Sequence, residues 1–589
     1  MNERRLPFAL VYDRADAESF SKERPAARSV CALSPAARVA LARDAIPCID
    51  GLSRYGDCAH AQTIVKRERL RARWQVALEP LRPTFAEWHM LDIAFVTLFN
   101  GFDRIRRIAG PDGPWLVRVD GVWTRHEERA AASLAMTHHI MDRYWHSFGN
   151  FKFRPPPLPW LYRALRAALI LAGRRRAPSW VATRSDHPLG LERALARTRP
   201  GLRQWHMSCA EDGAWEYARL VREMWRSLAG AFQIQLRAVP RRGAHIEKRF
   251  RQALECFPDP DCRALLGSFS AQIFRTFEIA AGAEVEFSAM LGRIRPAFML
   301  SSEISDGLTA ALFSSCGEKG VARTIASHNS FAPVGGGVNA LSLRDQIGHQ
   351  YADGRAEAML FWTPSAYAAA SGAFPGRPLS LLSALPPTAR AEARTPGPFM
   401  VLHASNCLRF FSRADWIYEN VDEFVAGAVA LIGAGLTVDG TAYVLRTKVR
   451  RYEMDEATLR AMLPPSERVE IAFRHTRPFA EDLARADLLV AFRSTTIMQA
   501  LYARKPVLLW GITPRYRELN GRETPPTSGD RAAVYSVRRA EALGPMLAGI
   551  RNAHRGAPLT DEELAPYLVP PGAMTVDQWA CTCLAPRSA

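Results

Sequence analysis

The sequence predicts an α/β protein of two domains, each built on a mostly parallel sheet, the two facing a cleft, with a largely helical elaboration of the first. Three observations predict it. Apolar strand-like runs alternate with helical patterns over 296–362 and again over 399–509. A Pro/Ala/Arg-rich stretch, PPTARAEARTPGP at 386–398, separates the two sets. The 589 residues exceed what a single core serves, so two large domains with decorations are expected.

The elements follow in chain order. The apolar run at 8–12 reads as a first strand; it meets Asp13 too soon to be the core of a secretory signal. No stretch reaches the roughly 20 apolar residues of a membrane-spanning helix. A basic helical pattern covers 61–82, residues 84–102 are rich in aromatics, and 127–146 read as a helix. A proline break at 155–159 precedes an apolar segment that starts at Trp160 and ends in Arg174, Arg175 and Arg176. The stretch 158–176 fits a packed helix with a solvated basic end, and equally a helix lying on an anionic membrane face. Helical patterns recur at 212–236, 243–256 and 264–295. The period then changes: 296–301, 321–327 and 358–362 read as strands, with a helix at 306–316. Beyond the linker, strands are expected at 399–403, 442–446, 468–473, 488–492 and 506–509, and helices at 416–433 and 479–486. The chain past 533 reads as helices that cross back to the first domain. The boundaries are therefore a domain at 1–385 with helical insertions at about 60–260, a linker at 386–398, a second domain at 399–535 and a helical tail at 536–589.

Composition narrows the function. Apolar content of 48% with 23% charged residues describes a globular chain, not a disordered one. Ten scattered cysteines are too few for a disulfide scaffold and suit a reducing compartment. A net charge of +18, much of it arginine, favours anionic partners: phosphorylated substrates, polyanionic glycans, an anionic membrane face or nucleic acid. No compact nucleic-acid motif accompanies it, so nucleic acid is not expected.

The segment LLVAFRSTTIMQALYARKPVLLWG at 488–511 is the most informative. It reads as strand, hydroxyl-rich turn, short helix, strand. Arg493, Ser494, Thr495 and Thr496 stand in the turn and Gln499 on the helix, where a phosphate can be held. Two other strand ends carry matching groups: Arg446, Lys448 and Arg450 in YVLRTKVRR, and His475 with Arg477 in IAFRHTRPF. Each also fits a solvated charged loop. No Gly-rich dinucleotide signature or Gly-Lys-Ser/Thr phosphate loop is present, which argues against hydride transfer and ATP hydrolysis. In the first domain, Glu303 and Asp306 follow a strand in SSEISDGLT. Either carboxylate can take a proton from a hydroxyl, and Asp306 fits a helix N-cap equally well. His328 ends the next strand, before a triple-glycine loop, and suits substrate binding or catalysis. His138, Asp142 and His146 share a helix face, with His139 beside them. Without a third ligand source, a polar face lining a groove is expected rather than a metal site.

The layout resembles the two-domain GT-B fold glycosyltransferases of bacterial surface and capsular polysaccharide biosynthesis. The resemblance covers about 285–515. PAFMLSSEISDG and VARTIASHNSF are similar to that family's first-domain strand ends, and the 487–511 stretch to its nucleotide-sugar turn and helix. The resemblance implies two Rossmann-like domains facing a cleft. The second would bind a nucleotide sugar as co-substrate, with no tightly bound cofactor and no metal. A glycan or lipid-linked acceptor would bind on the first. Departures stand beside it: Asn329 follows His328, Arg446 to Lys448 replace a His-Pro pair, and Gln499 stands where a carboxylate is common. The Glu303–Asp306 segment is similar to the acidic motif of transferases that use CMP-activated keto-sugars, so CMP- and UDP-linked donors both stay open. Location in the cytoplasm, at the inner membrane face, is implied. A sugar-nucleotide epimerase of the same fold and a non-catalytic polyanion- or glycan-binding assembly protein are the alternatives.

Overall fold

The computed structural model describes residues 6–582 apart from several segments. The longest of these are 145–163, 165–178, 183–190, 210–230, 237–243, 346–353, 384–396 and 409–418; shorter ones include 303, 305–306, 328–330, 448–453, 474–476 and 513–516. Any Trp160 helix and the 386–398 linker therefore lie outside the described residues, apart from Ala164 in a helical conformation and residues 397–398.

The described strands form three main sheets. The first is five-stranded: β1 (Phe8–Val11), β2 (Ser29–Ala32), β3 (Cys48–Asp50), β4 (Trp115–Val119) and β5 (Val122–His126), in the order β3-β2-β1-β4-β5. Only β5 runs antiparallel to its neighbour. The second is seven-stranded: β6 (Ser179–Ala182), β7 (Arg203–Cys209), β8 (Ala231–Leu236), β9 (Phe298–Ser301), β10 (Ala322–Ala326), β11 (Ala358–Phe361) and β12 (Leu379–Leu381). The third begins with β13 (Phe399–Ser405), beside which β14 (Cys407–Leu408) and β15 (Glu419–Asn420) make a small separate ladder. It continues with β16 (Thr441–Thr447), β17 (Val469–Phe473), β18 (Leu488–Ala491), β19 (Val507–Leu509) and β20 (Val534–Ser536).

The second and third sheets are parallel throughout and share one topology. Their orders are β12-β11-β10-β9-β6-β7-β8 and β17-β16-β13-β18-β19-β20. Counted from the first strand of each, both follow the doubly wound order 3-2-1-4-5-6, the second sheet with one extra edge strand. Strands of such sheets are covered by helices on both faces and must be apolar along their whole length. LLVA of β18 and VLL of β19 meet that demand and are buried at every position. Register centres the third sheet on β13, where Val401 sits between Tyr443 and Leu488.

Two expectations are corrected. The region about 60–260, read as helical insertions, contains β6, β7 and β8. The helical reading over 212–236 fails at its end, where AFQIQL alternates apolar and polar residues at the period of a strand. These strands complete the second sheet, and the first sheet stands ahead of them as a separate layer. The tail past 533 likewise begins with a strand, β20, before its helices. Helices do fill much of the remainder, at Asp57–Leu78, Phe85–Ala109, Arg129–Tyr144, Ala244–Glu255, Pro260–Ser268 and Ser270–Ile294. Phe85–Ala109 is their hub. It starts at a capping box of Thr84 with Glu87 and is buried along most of its length. Trp74 packs on Phe95, Phe250 and Phe257 at ring-centroid distances of 5.8, 6.2 and 6.1 Å, joining three helices in one aromatic core.

The first layer leans on the third sheet's domain. Arg14 reaches Asp455 at 2.8 Å and donates to Thr458 Oγ1 at 2.9 Å. The chain end returns to the second sheet's domain: the Ser383 amide donates to the Met574 carbonyl at 3.0 Å, and Trp579 is buried beyond it. None of the described helices is long and apolar enough to cross a membrane.

Candidate functional site

In a doubly wound sheet the ligand crevice lies beyond the carboxyl ends of the two strands between which the order reverses. In the third sheet those strands are β13 and β18. The chain leaving β18 is Phe492, Arg493, Ser494 and Thr495, so four candidate residues (Arg493, Ser494, Thr495, Thr496) fall together at the switch point. Phe492, Arg493 and Ser494 are buried; Thr495, Thr496 and Gln499 are half-buried. The Ser494 hydroxyl accepts from the Thr496 amide at 3.2 Å, and the Ser494 carbonyl accepts from Ile497 at 3.1 Å. These bonds close the turn. The following helix, Thr496–Tyr502, has seven residues and contributes a weak dipole, so the turn's own hydroxyls and charges dominate. Thr496 Oγ1 is buried with no hydrogen-bond partner among the described residues.

Two groups that sequence reasoning missed support this turn. Gly511, just past β19, presses on it: a Cβ there would come within 2.2 Å of Phe492 Cδ2. Glu518 lies under it, 3% exposed, with Oε1 3.7 Å from Arg493 Nε and the Ser494 amide bonded to its carboxylate. Burial pushes Glu518 up to about 7, against the lowering effect of the Arg493 charge and the Ser494 bond. A glutamate in the polar run RYRELNGRE carries no periodic signal that would have singled it out.

On the other side of β13, Arg446 and Arg477 are joined differently from expectation. Both guanidinium groups bond Asp482, whose side chain is fully buried. Arg446 also donates to the Arg477 carbonyl at 2.9 Å, and Arg477 reaches Glu470 at 2.7 Å. The pair pins the helix Phe479–Arg485 to β16 and β17, and both arginines have carboxylate partners. Lys448, Arg450 and His475 lie outside the described residues. Within the same domain His403 is fully buried, its Nδ1 2.5 Å from the Tyr443 hydroxyl, and burial lowers it to about 3, so the ring is neutral.

Glu303, Asp306 and His328 are also outside the described residues, but their flanks are not. Ser301 and Ser302 are buried at the end of β9, and β9 pairs with β6, so the carboxyl end of β9 stands at the switch point of the second sheet. Gly307 then opens the helix Gly307–Glu318, against Met90; a Cβ there would lie 1.7 Å from Met90 Sδ. Ser327, which precedes His328, is buried and accepts from Trp362 Nε1 at 2.9 Å through its carbonyl.

The described members of the histidine cluster make contacts of their own. His139 Nε2 lies 2.8 Å from Asp16 Oδ2, and Arg143 bonds both Asp13 and Asp16, at 3.0 and 2.9 Å. Burial alone would raise Asp16; the His139 bond and charge and the Arg143 charge outweigh it and hold the carboxyl below its usual range. His138 stacks on Phe269 at 4.2 Å, Asp142 is exposed, and His146 lies outside the described residues. The cluster joins the first layer to the helix Arg129–Tyr144. Among the described residues no group of three or more His, Cys, Asp or Glu is placed to hold a metal.

Two doubly wound parallel sheets in one chain define a two-domain Rossmann-like fold of the GT-B type. No known family and no curated protein matches the sequence. The chain is similar to the solved structure of UDP-GlcNAc 2-epimerase from Methanocaldococcus jannaschii (9% identity, 69% of this chain and 98% of that one, TM-score 0.37). It is similar also to MurG of Acinetobacter baumannii (12%, 64% and 91%, TM-score 0.32) and to the lipopolysaccharide outer core galactosyltransferase WaaB (12%, 66% and 93%, TM-score 0.35). At these values the likenesses carry no argument about activity.

Proposed function

We propose that the protein is a glycosyltransferase that moves a sugar from a nucleotide-activated donor to a surface-polysaccharide, lipid-linked or other glycan acceptor. One observation carries the reading: the Arg493–Thr496 turn lies at the switch point of the third sheet. The donor phosphates sit against Ser494, Thr495 and Thr496, with Gln499 beside them, and Lys448, Arg450 and His475, which follow β16 and β17 in sequence, are the further candidate contacts. Hydroxyls and cations held in place stabilise charge on the departing nucleotide better than water does, because they need no reorganisation as the glycosidic bond breaks. Asp306, Glu303 or His328 takes the proton of the acceptor hydroxyl. Closing the cleft excludes water, which would otherwise hydrolyse the donor. The basic surface and the 158–176 segment hold the enzyme near an anionic, membrane-bound acceptor.

Calorimetric titration with UDP-, GDP-, CMP- and dTDP-sugars tests the reading. One nucleotide class should bind, and Ser494→Ala should weaken it about tenfold, the worth of one hydrogen bond to a charged group. Folded protein that binds none of the four would sink the donor site. Appearance of an epimerised nucleotide sugar, with no acceptor added, would favour the epimerase alternative.

A further inference from the structure

Arg517 and Glu518 are neighbours in sequence that touch different domains. The Arg517 amide donates to Asn339 Oδ1 at 3.3 Å, and Asn339 lies on the helix Val338–Asp345 of the second sheet's domain. The next residue, Glu518, accepts from the Ser494 amide and lies 3.7 Å from Arg493 Nε. Arg493 and Glu518 are 4% and 3% exposed, and Glu518 Oε2 has no hydrogen-bond partner among the described residues. The Arg517 side chain is held to Glu523 at 2.6 Å, and Leu519 is buried, so the short run is anchored at both ends.

We propose that Glu518 is a positioning residue of the donor turn, and that the 517–518 pair couples contact between the two domains to the geometry of residues 493–496. The inference rests on the reading of that turn as the donor site. Its physical basis is the stiffness of a buried charge pair. Separating Glu518 from Arg493 leaves both uncompensated in a low dielectric, so a shift of this run when Asn339 moves is passed to the turn. Arg493 is the charged group that faces Glu518, and the Ser494 amide is its other neighbour. An anion bound at the turn competes with the Glu518 carboxylate for Arg493. Affinity should therefore fall as the pH rises through about 7, where Glu518 ionises.

The test is calorimetry at pH 6, 7 and 8 with UDP-N-acetylglucosamine, whose pyrophosphate diester does not titrate there, on wild type, Glu518→Gln, Asn339→Ala and the double variant. If another nucleotide class binds in the panel above, its sugar diester replaces this probe. Hydrogen exchange of residues 492–497 is followed in the unliganded proteins. We expect Asn339→Ala to weaken binding about 5–10-fold, Glu518→Gln to bind at pH 8 about as the wild type does at pH 6, the loss from Asn339→Ala to shrink in the double variant, and the pH dependence to vanish in Glu518→Gln. Exchange over 492–497 should quicken in Asn339→Ala. Wild-type binding with unchanged variants, or with independent effects and a retained pH dependence, overturns the inference alone. Failure of the wild type to bind any nucleotide sugar of the panel overturns the donor reading, and this inference with it.

Discussion

Asp482→Ala should cost the third sheet's domain about 3–5 kcal/mol and lower its melting transition by about 10 °C. The Asp482 side chain is fully buried and is shared by Arg446 and Arg477. Arg446 is itself buried at the end of β16 and cannot turn to water when its partner is gone. Alanine removes the anion and leaves that cation in place, which is the costly way to break a buried pair. Asp482→Asn keeps one acceptor oxygen and fills the same space, and should lose less. Thermal unfolding, with hydrogen exchange across β16 and β17 to assign the transition, reads the effect. A shift of less than 2 °C (~1 kcal/mol) for the alanine variant would show that the pair is solvated and that Arg446 is available for other partners.

Stability should also fall between about pH 5 and pH 8, and Glu284→Gln should remove about 3 kcal/mol of that fall. Glu284 lies 7% exposed on the helix Ser270–Ile294, where it accepts from Thr84 Oγ1 at 2.7 Å. Burial pushes its carboxyl up to about 7, against the hydrogen bonds of Ser314 and Thr84, and the charges of Glu87 and Glu318 add to the rise. The sign follows from proton binding. The folded state holds a proton that the unfolded chain, with a glutamate near 4.5, releases. The favourable contribution is whole below that value and is lost as the pH rises through about 7. Glutamine mimics the protonated form at every pH, so the variant should match the wild type at pH 4 and exceed it at pH 8. Equal melting temperatures of the two proteins at pH 8 would mean that the carboxylate finds a charged partner there.

The later half of the chain is the more legible. The strands β13 and β16 to β19 fall where short apolar runs bounded by turn residues put them, because a strand covered on both faces must be apolar throughout. The hydroxyl-rich turn after β18 is legible for the same reason: it interrupts two such runs at once. Strands β6 to β8 are not. They mix polar and apolar residues, and β6 gains its place by pairing Trp180 with Phe298, a partner far along the chain that no local pattern can reveal. Likewise the spacing of His138, His139 and Asp142 suggests a shared face but not that Asp16, from a different helix, takes up His139.

The amino-acid sequence by itself determined the α/β class, the parallel character of the later strands and the identity of the donor-turn candidates, since each depends on local period and residue type. Tertiary structure alone decided that the order of the third sheet reverses beside those candidates, that Arg446 and Arg477 share Asp482, and that Glu518 lies beneath Ser494. Each of those depends on which distant segments pack together, and so on the burial of charge in a space that no single stretch of sequence encloses.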